Sequence, residues 1–141
     1  MVTNLKQVRN VDSSFCLDTL GKDEKGIIDL GVFFCQGGSS ANQVFSWSNI
    51  YELRREDLCC SGSSTVGARV RMHHCSGSKS EKWSHTKGGQ IVHTESGLCL
   101  DVSGVNNGEF PLLNKCDSNK QGQKWEFRTY TSMYSDNSNS R

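Results

Sequence analysis

The chain repeats itself three times, and that repeat limits the fold more than any local feature. Each segment holds a cysteine, a second cysteine 16 to 19 residues later, and a Q-x-aromatic tripeptide or its relic. The first has Cys16, Cys35 and Gln43-Val44-Phe45. The second has Cys59, Cys75 and Glu81-Lys82-Trp83. The third has Cys99, Cys116 and Gln123-Lys124-Trp125. The second cysteines follow one another at 40 and 41 residues, so the register is tight. A fixed period of this size means units that bury their apolar faces against each other.

Each unit opens with a strand-like run (LKQVRNV, YELRR, QIVHT) and is broken at QGGSSAN, SGSSTVG or SGVNNG. That leaves room for about four short strands per unit. Propeller blades share the period, but propellers close with about four or more blades. Three units of four strands predict an all-β fold, a β-trefoil, with a closed barrel capped by hairpins. The expected domain covers residues 1–128, with repeats at about 6–48, 49–87 and 88–128. The tail 129–141, TYTSMYSDNSNSR, is polar and expected to be loose.

Seven cysteines suggest disulfides and an oxidising compartment. The repeat pairs them as Cys16–Cys35, Cys59–Cys75 and Cys99–Cys116, each contributing about 3 kcal/mol in the chain-entropy model. Cys60 is left over and is expected to be buried in the slot of Leu17 and Leu100, the alternative being a reactive or intermolecular thiol. The start, MVTNLKQVRN, has no apolar signal core. The expectation is a piece of a larger secreted or lumenal protein, with Met1 added. A formal net charge of +1 with both signs interspersed speaks against nucleic acid. No run reaches the roughly 18 apolar residues of a membrane span.

Cys-Leu-Asp at Cys16-Leu17-Asp18 and Cys99-Leu100-Asp101, with the Q-x-F and Q-x-W tripeptides, resembles the ricin-type lectin domain. The stretches RNVDSSFCLDTLG, GVFFCQGGSSANQVFSW and LRREDLCC resemble the C-terminal lectin domain of polypeptide N-acetylgalactosaminyltransferases, over Gln7 to Phe127. The resemblance implies a β-trefoil with one potential sugar pocket per repeat, called α, β and γ in chain order.

A galactose-type sugar offers adjacent hydroxyls, one of them axial, and one apolar face. A carboxylate accepts two hydrogen bonds from neighbouring hydroxyls, an amide adds a donor and an acceptor, and an aromatic ring covers the apolar face. Only the α repeat has all three, so the family's binding roles carry over to Asp18, Phe33 and Asn42. Phe34 is the rival of Phe33. Strand alternation sends one of the pair to the site and the other to the barrel. Gln36 and the Gly37-Gly38 backbone are candidates for the rim. In the β repeat Ser61 replaces the Asp, Ser80 the Asn and Glu81 the Gln, with His73 at the stacking position, so this pocket is expected to be disabled. The γ repeat keeps Asp101 as a secondary candidate, but Gly122 replaces the Asn and Asn114 the ring. His93 or Phe110 would compensate only if the fold brought them close. The Gln of each tripeptide resembles a structural tie between the pocket turn and the hairpin. Phe45, Trp83 and Trp125 should fill the threefold core, and Trp47 should be ordinary packing.

The resemblance implies a GalNAc- or galactose-binding domain of a transferase of mucin-type O-glycosylation. Its expected partners are GalNAc-bearing glycopeptides or mucin-like glycoproteins and a tethered catalytic domain, with no nucleic acid and no membrane contact. The expected location is the Golgi lumen, within a type II membrane protein. The alternative is a standalone R-type lectin, or the binding module of a toxin or glycosidase, in the secretory pathway or outside the cell. A protein-binding trefoil explains the repeats but not the recurring Cys-Leu-Asp. No catalysis is expected of this chain. Asp18 and Asp101 are related by the repeat and should sit on different lobes, too far apart for a glycosidase pair. No cofactor is expected here, since the family's Mn2+ and UDP-GalNAc belong to the catalytic domain. No metal site is expected either. His73 and His74 point apart in a strand, and Cys75 has a disulfide partner. The run Lys22-Asp23-Glu24-Lys25 lies in the long α loop, either as a solvated turn or touching peptide beside the sugar.

Overall fold

The computed structural model describes residues 5–21, 27–37 and 41–129. The run Lys22-Asp23-Glu24-Lys25, Gly38 and the tail from Tyr130 lie outside the described residues. The first repeat contributes β1 (Leu5–Asn10), β2 (Phe15–Asp18), β3 (Ile28–Asp29), β4 (Gly31–Phe34) and β5 (Phe45–Trp47). The second contributes β6 (Leu53–Arg55), β7 (Leu58–Ser61), β8 (Ala68–Arg69), β9 (Arg71–His74) and β10 (Trp83–His85). The third contributes β11 (Ile91–His93), β12 (Cys99–Asp101), β13 (Leu112–Asn114) and β14 (Trp125–Thr129). A single 3-10 turn precedes the last strand of each repeat, at Ala41–Gln43, Lys79–Glu81 and Gln121–Gln123. This is the β-trefoil that the repeat predicts. Strand β14 carries the ladder to Thr129, which pairs with Lys6, one residue past the expected boundary.

The first and last strands of each repeat form the barrel. β1 pairs with β5 and β14, β5 with β6, and β10 with β11. Trp83 N–H donates to Tyr51 C=O at 2.8 Å and Trp125 N–H to Gly89 C=O at 2.7 Å, which completes the ring. The second and third strands form the hairpins that cap it. Each hairpin is tied to the next repeat. Ile28 pairs with Met72, Ala68 with Leu113, and Val32 exchanges hydrogen bonds with Gly108 and Glu109, both at 2.9 Å. Asp29, Arg69 and Phe110 are repeat equivalents that meet between the hairpins. The Arg69 guanidinium is 3.1 Å from the Asp29 carboxylate and 4.0 Å from the Phe110 ring centroid.

The core follows the repeat as well. Phe45, Trp83 and Trp125 are buried, and so are Leu17, Cys60 and Leu100 in a second equivalent set. A buried indole N–H needs an acceptor. Trp83 donates to Cys60 C=O at 2.9 Å and Trp125 to Leu100 C=O at 3.1 Å. Phe45 carries no donor, so its repeat needs none. Trp47 packs on Phe127 with ring centroids 5.4 Å apart, as ordinary packing. The disulfides are Cys16–Cys35, Cys59–Cys75 and Cys99–Cys116. Cys60 is free, and burial pushes its thiol pKa up.

Candidate functional site

Asp18 ends β2, where the chain must leave the strand and turn. Its Oδ1 accepts the Leu20 N–H at 2.6 Å, an Asx turn that stabilises the positive φ of Leu20 (58°) and Gly21 (71°). Its Oδ2 accepts Gln43 Nε2 at 2.9 Å. Gln43 is fully buried and has four partners. Nε2 also donates to Phe34 C=O at 3.0 Å, while Oε1 accepts Gln7 Nε2 and the Gln36 N–H, both at 2.9 Å. The Gln therefore fixes the carboxylate and does not line the cleft beside it, the structural tie that the family resemblance implies.

Asn42 rides on the 3-10 turn, and its carbonyl accepts Thr19 N–H at 3.0 Å. Thr19 Oγ1 also donates to Asn42 Oδ1 at 3.3 Å, which leaves the amide nitrogen for the cleft. Arg55, from the second repeat, donates to Ala41 C=O and, at 3.5 Å, to Val44 C=O, so it clamps this turn from behind. His93 and Asn10 do the same for the turns of the second and third repeats, donating to Ser80 C=O (2.9 Å) and Lys124 C=O (2.9 Å).

Asp18, Leu20, Gly21, Phe33, Asn42 and Gly108 line one cleft of about 300 Å³. The three residues singled out in the sequence therefore meet. Phe33 faces this cleft. Phe34 does not enter the barrel, contrary to expectation. It is 53% exposed and packs against Phe15 at 5.5 Å, because it pairs with Phe15 at the open end of the hairpin, beyond the fully buried Leu17–Val32 pair. Gln36 turns its amide back to Phe34 C=O at 2.8 Å and is not part of the lining. Gly108 has no local signal in the sequence. It arrives from the third repeat on a loop held by Asn107 Oδ1, which accepts the Phe34 N–H at 2.7 Å.

The γ position keeps the same carboxylate scaffold and fills the space in front of it. Asp101 Oδ1 accepts Ser103 N–H at 2.7 Å, and Oδ2 accepts Gln123 Nε2 at 3.0 Å and Asn114 Nδ2 at 3.1 Å. Burial opposes ionisation of Asp101. The hydrogen bonds from Ser103, Gln123 and Asn114 outweigh it and hold the carboxyl below its ordinary range. The residue at the stacking position is thus a hydrogen-bond partner of the carboxylate. Gly122 lies so close that a Cβ there would come within 2.8 Å of Ser103 N and 3.0 Å of Asp101 Oδ1. Neither ring supplies a substitute. Phe110 lies under Arg69, and His93 is buried against Trp83 at 4.9 Å.

The β position lacks the carboxylate. Ser61 Oγ donates to Ser80 Oγ at 2.9 Å. With no Asp to receive an amide, the tripeptide begins with Glu81, which accepts hydrogen bonds from Ser76 N–H, Ser76 Oγ and Gly77 N–H. Glu52, Cys59 and Cys75 come together nearby, but the two sulfurs are bonded to each other and offer no thiolate.

Comparison with known proteins agrees with this fold. The family model described as a ricin-type beta-trefoil lectin domain matches residues 4–125. N-acetylgalactosaminyltransferase 7 of Mus musculus is 31% identical over 128 residues, covering 90% of this chain and 19% of that protein. Probable N-acetylgalactosaminyltransferase 9 of Caenorhabditis elegans is 36% identical over 114 residues, covering 79% of this chain and 19% of that protein. The chain thus spans about a fifth of the length of these relatives. Among solved structures, GalNAc-T7 with UDP, GalNAc and Mn2+ superposes with a TM-score of 0.75 at 26% identity, over 94% of this chain and 23% of that one. The agglutinin from Abrus precatorius superposes with a TM-score of 0.80 at 19% identity, over 89% of this chain and 48% of that one, and shares the fold.

Proposed function

The chain belongs to the ricin-type β-trefoil lectin family, and on that premise we propose that its α cleft holds N-acetylgalactosamine on a glycopeptide. The supporting observation is the convergence of Asp18, Phe33 and Asn42 on one cleft. Each Asp18 oxygen accepts one hydrogen bond from the protein, which leaves a lone pair on each for neighbouring sugar hydroxyls. The axial hydroxyl of a galactose-type ring brings two such hydrogens to one side, and Phe33 covers the opposite, apolar face. Asn42 donates beside them. Leu20 supplies an apolar wall, and Gly31 beneath it permits this, since a Cβ there would collide with the Leu20 side chain.

One shallow cleft for one sugar binds at about millimolar strength, near −4 kcal/mol. Such affinity becomes useful when a catalytic domain is tethered alongside and the lectin raises the local concentration of acceptor peptide. In this reading residues 1–128 form the lectin unit of a longer GalNAc-transferase in the Golgi lumen. Mn2+ and the sugar nucleotide serve the catalytic part, and the lectin itself uses no cofactor. Asp101, walled in by Asn114 and Gly122, takes no sugar. Retention on an immobilised GalNAc-threonine peptide tests the proposal. Wild type is retained and elutes with free GalNAc, the unglycosylated peptide retains nothing, and Asp18→Ala flows through. Equal retention by both peptides would overturn it.

A further inference from the structure

The β repeat keeps a cleft of its own, and its lining differs from that of the α cleft in a consistent direction. It is about 300 Å³ in volume, the same as the α cleft, and is lined by Ser61, Gly62, Ser63, Ala68, Arg69, Arg71 and His73. The strand registers make the correspondence explicit. Asp18 faces Gly31 across the α hairpin, and Ser61 faces Arg71 across the β hairpin. Cys16 faces Phe33, and Cys59 faces His73.

Three exchanges follow. The acceptor Asp18 becomes the hydroxyl of Ser61. The stacking Phe33 becomes the imidazole of His73. The apolar wall made by Leu20 over Gly31 becomes a small Ser63 beside the long Arg71. This last exchange is reciprocal in size, so the cleft keeps its volume while its wall gains a guanidinium. Arg69 completes the set, already oriented by Asp29 and the Phe110 ring. Arg71 is 64% exposed, and its ion pair with Asp29 is long at 3.8 Å. Two carboxylates face the group. Asp29 shares itself between both arginines. Glu81 lies 3.7 Å from His73 Nδ1 but is buried and already accepts donors from Ser76 and Gly77. Ser61 Oγ already donates to Ser80 Oγ and His73 Nδ1 to His74 C=O at 3.1 Å, so the donors the cleft gains are the two guanidiniums and the Ser63 hydroxyl, whose oxygen accepts Thr65 N–H and whose proton is left over. A guanidinium fork matches a carboxylate in particular.

We propose that the β cleft binds the carboxylate of an acidic monosaccharide, gripped by Arg71 and Arg69 with the hydroxyl of Ser63 alongside. The inference stands on the β repeat alone and does not require the α cleft to hold a sugar.

The test is an amide NMR titration with glucuronate and N-acetylneuraminate, each beside its uncharged methyl ester, and with inorganic sulfate and a capped glutamate peptide. GalNAc in a parallel titration reports on the α cleft separately. The expected result is saturable shifts at Ser61, Ser63, Ala68 and His73 with the sugar acids, absent with the esters and unchanged in Asp18→Ala. Arg71→Ala should weaken them about tenfold, the effect of one charge-assisted hydrogen bond. Arg71→Lys, which retains charge without the fork, should fall between. Equal shifts with the esters, with sulfate or with the glutamate peptide would overturn the proposal. So would an unchanged affinity in Arg71→Ala, or no saturable shift with either acid.

Discussion

The two ways in which this chain solves one structural problem predict a coupling between positions 18 and 43. In the α repeat a buried Gln43 donates to the Asp18 carboxylate, and in the β repeat Glu81 accompanies Ser61. Gln43 cannot rotate its amide to suit a new neighbour, because Gln7 and Gln36 both donate to its oxygen. Asp18→Ser removes the acceptor for Leu20 N–H and one acceptor for Gln43, a loss of about 2 kcal/mol. Gln43→Glu sets a second carboxylate 2.9 Å from the first with little water to screen it, which costs about 3 kcal/mol or forces one group to take up a proton. The pair together reproduces the β arrangement. The introduced carboxylate would accept from Gln36 N–H as Glu81 accepts from Ser76, with no second carboxylate beside it, and the residual cost is the Phe34 C=O, which loses its donor and faces the new oxygen. The double variant should lie within about 1 to 2 kcal/mol of wild type, giving a coupling energy of about 3 kcal/mol. Urea unfolding of the four proteins measures it, and melting temperatures should follow, with the Gln43→Glu single variant lower by roughly 10 °C. The double variant should be folded and unable to bind GalNAc. Additive losses, with coupling below about 0.5 kcal/mol, would refute the reasoning.

Asp101 has a folded-state pKa below its unfolded value, so its contribution to stability is present at neutral pH and lost as pH falls through the folded value. Asp101→Asn should therefore flatten the acid limb of a urea-midpoint profile below about pH 4, where unfolded aspartate begins to protonate. Asn107→Ala frees the third-repeat loop from Phe34 and should weaken sugar binding about threefold, through lost preorganisation of the Gly108 wall, while unfolding changes little. Cys60 is fully buried, so a thiol reagent should find no reactive group in native protein and one per chain in unreduced, denatured protein.

The parts of the fold that depend on the period were legible in the sequence. Spacing identified the disulfide partners and the equivalence of Cys60 with Leu17 and Leu100, and the family resemblance added the Phe45, Trp83 and Trp125 core. That Asp18, Phe33 and Asn42 share one cleft was legible because the family resemblance assigns the three together, by their places beside Cys16, Cys35 and Gln43. Other features depend on contacts between repeats, which spacing does not encode. Gly108 reaches the α cleft through hydrogen bonds from the third repeat to Val32. Arg55 reads as a strand residue of the second repeat, yet it clamps the turn that carries Asn42. Asn114 reads as a missing ring, whereas it is a donor to Asp101. Phe34 obeys strand alternation, but the sequence does not say that burial along this face stops short of it, at the open end of the hairpin.

On the proposed reading one repeat, the first, carries the galactose-type site. An amide-resolved NMR titration with GalNAc and with GlcNAc, on wild type and Asp18→Ala, tests it most directly. A first-repeat site gives saturable shifts around Asp18, Phe33, Asn42 and Gly108 with GalNAc, much weaker shifts with GlcNAc, whose equatorial hydroxyl points away from the carboxylate, and none in the variant. Shifts centred on Asp101 that survive Asp18→Ala would contradict it.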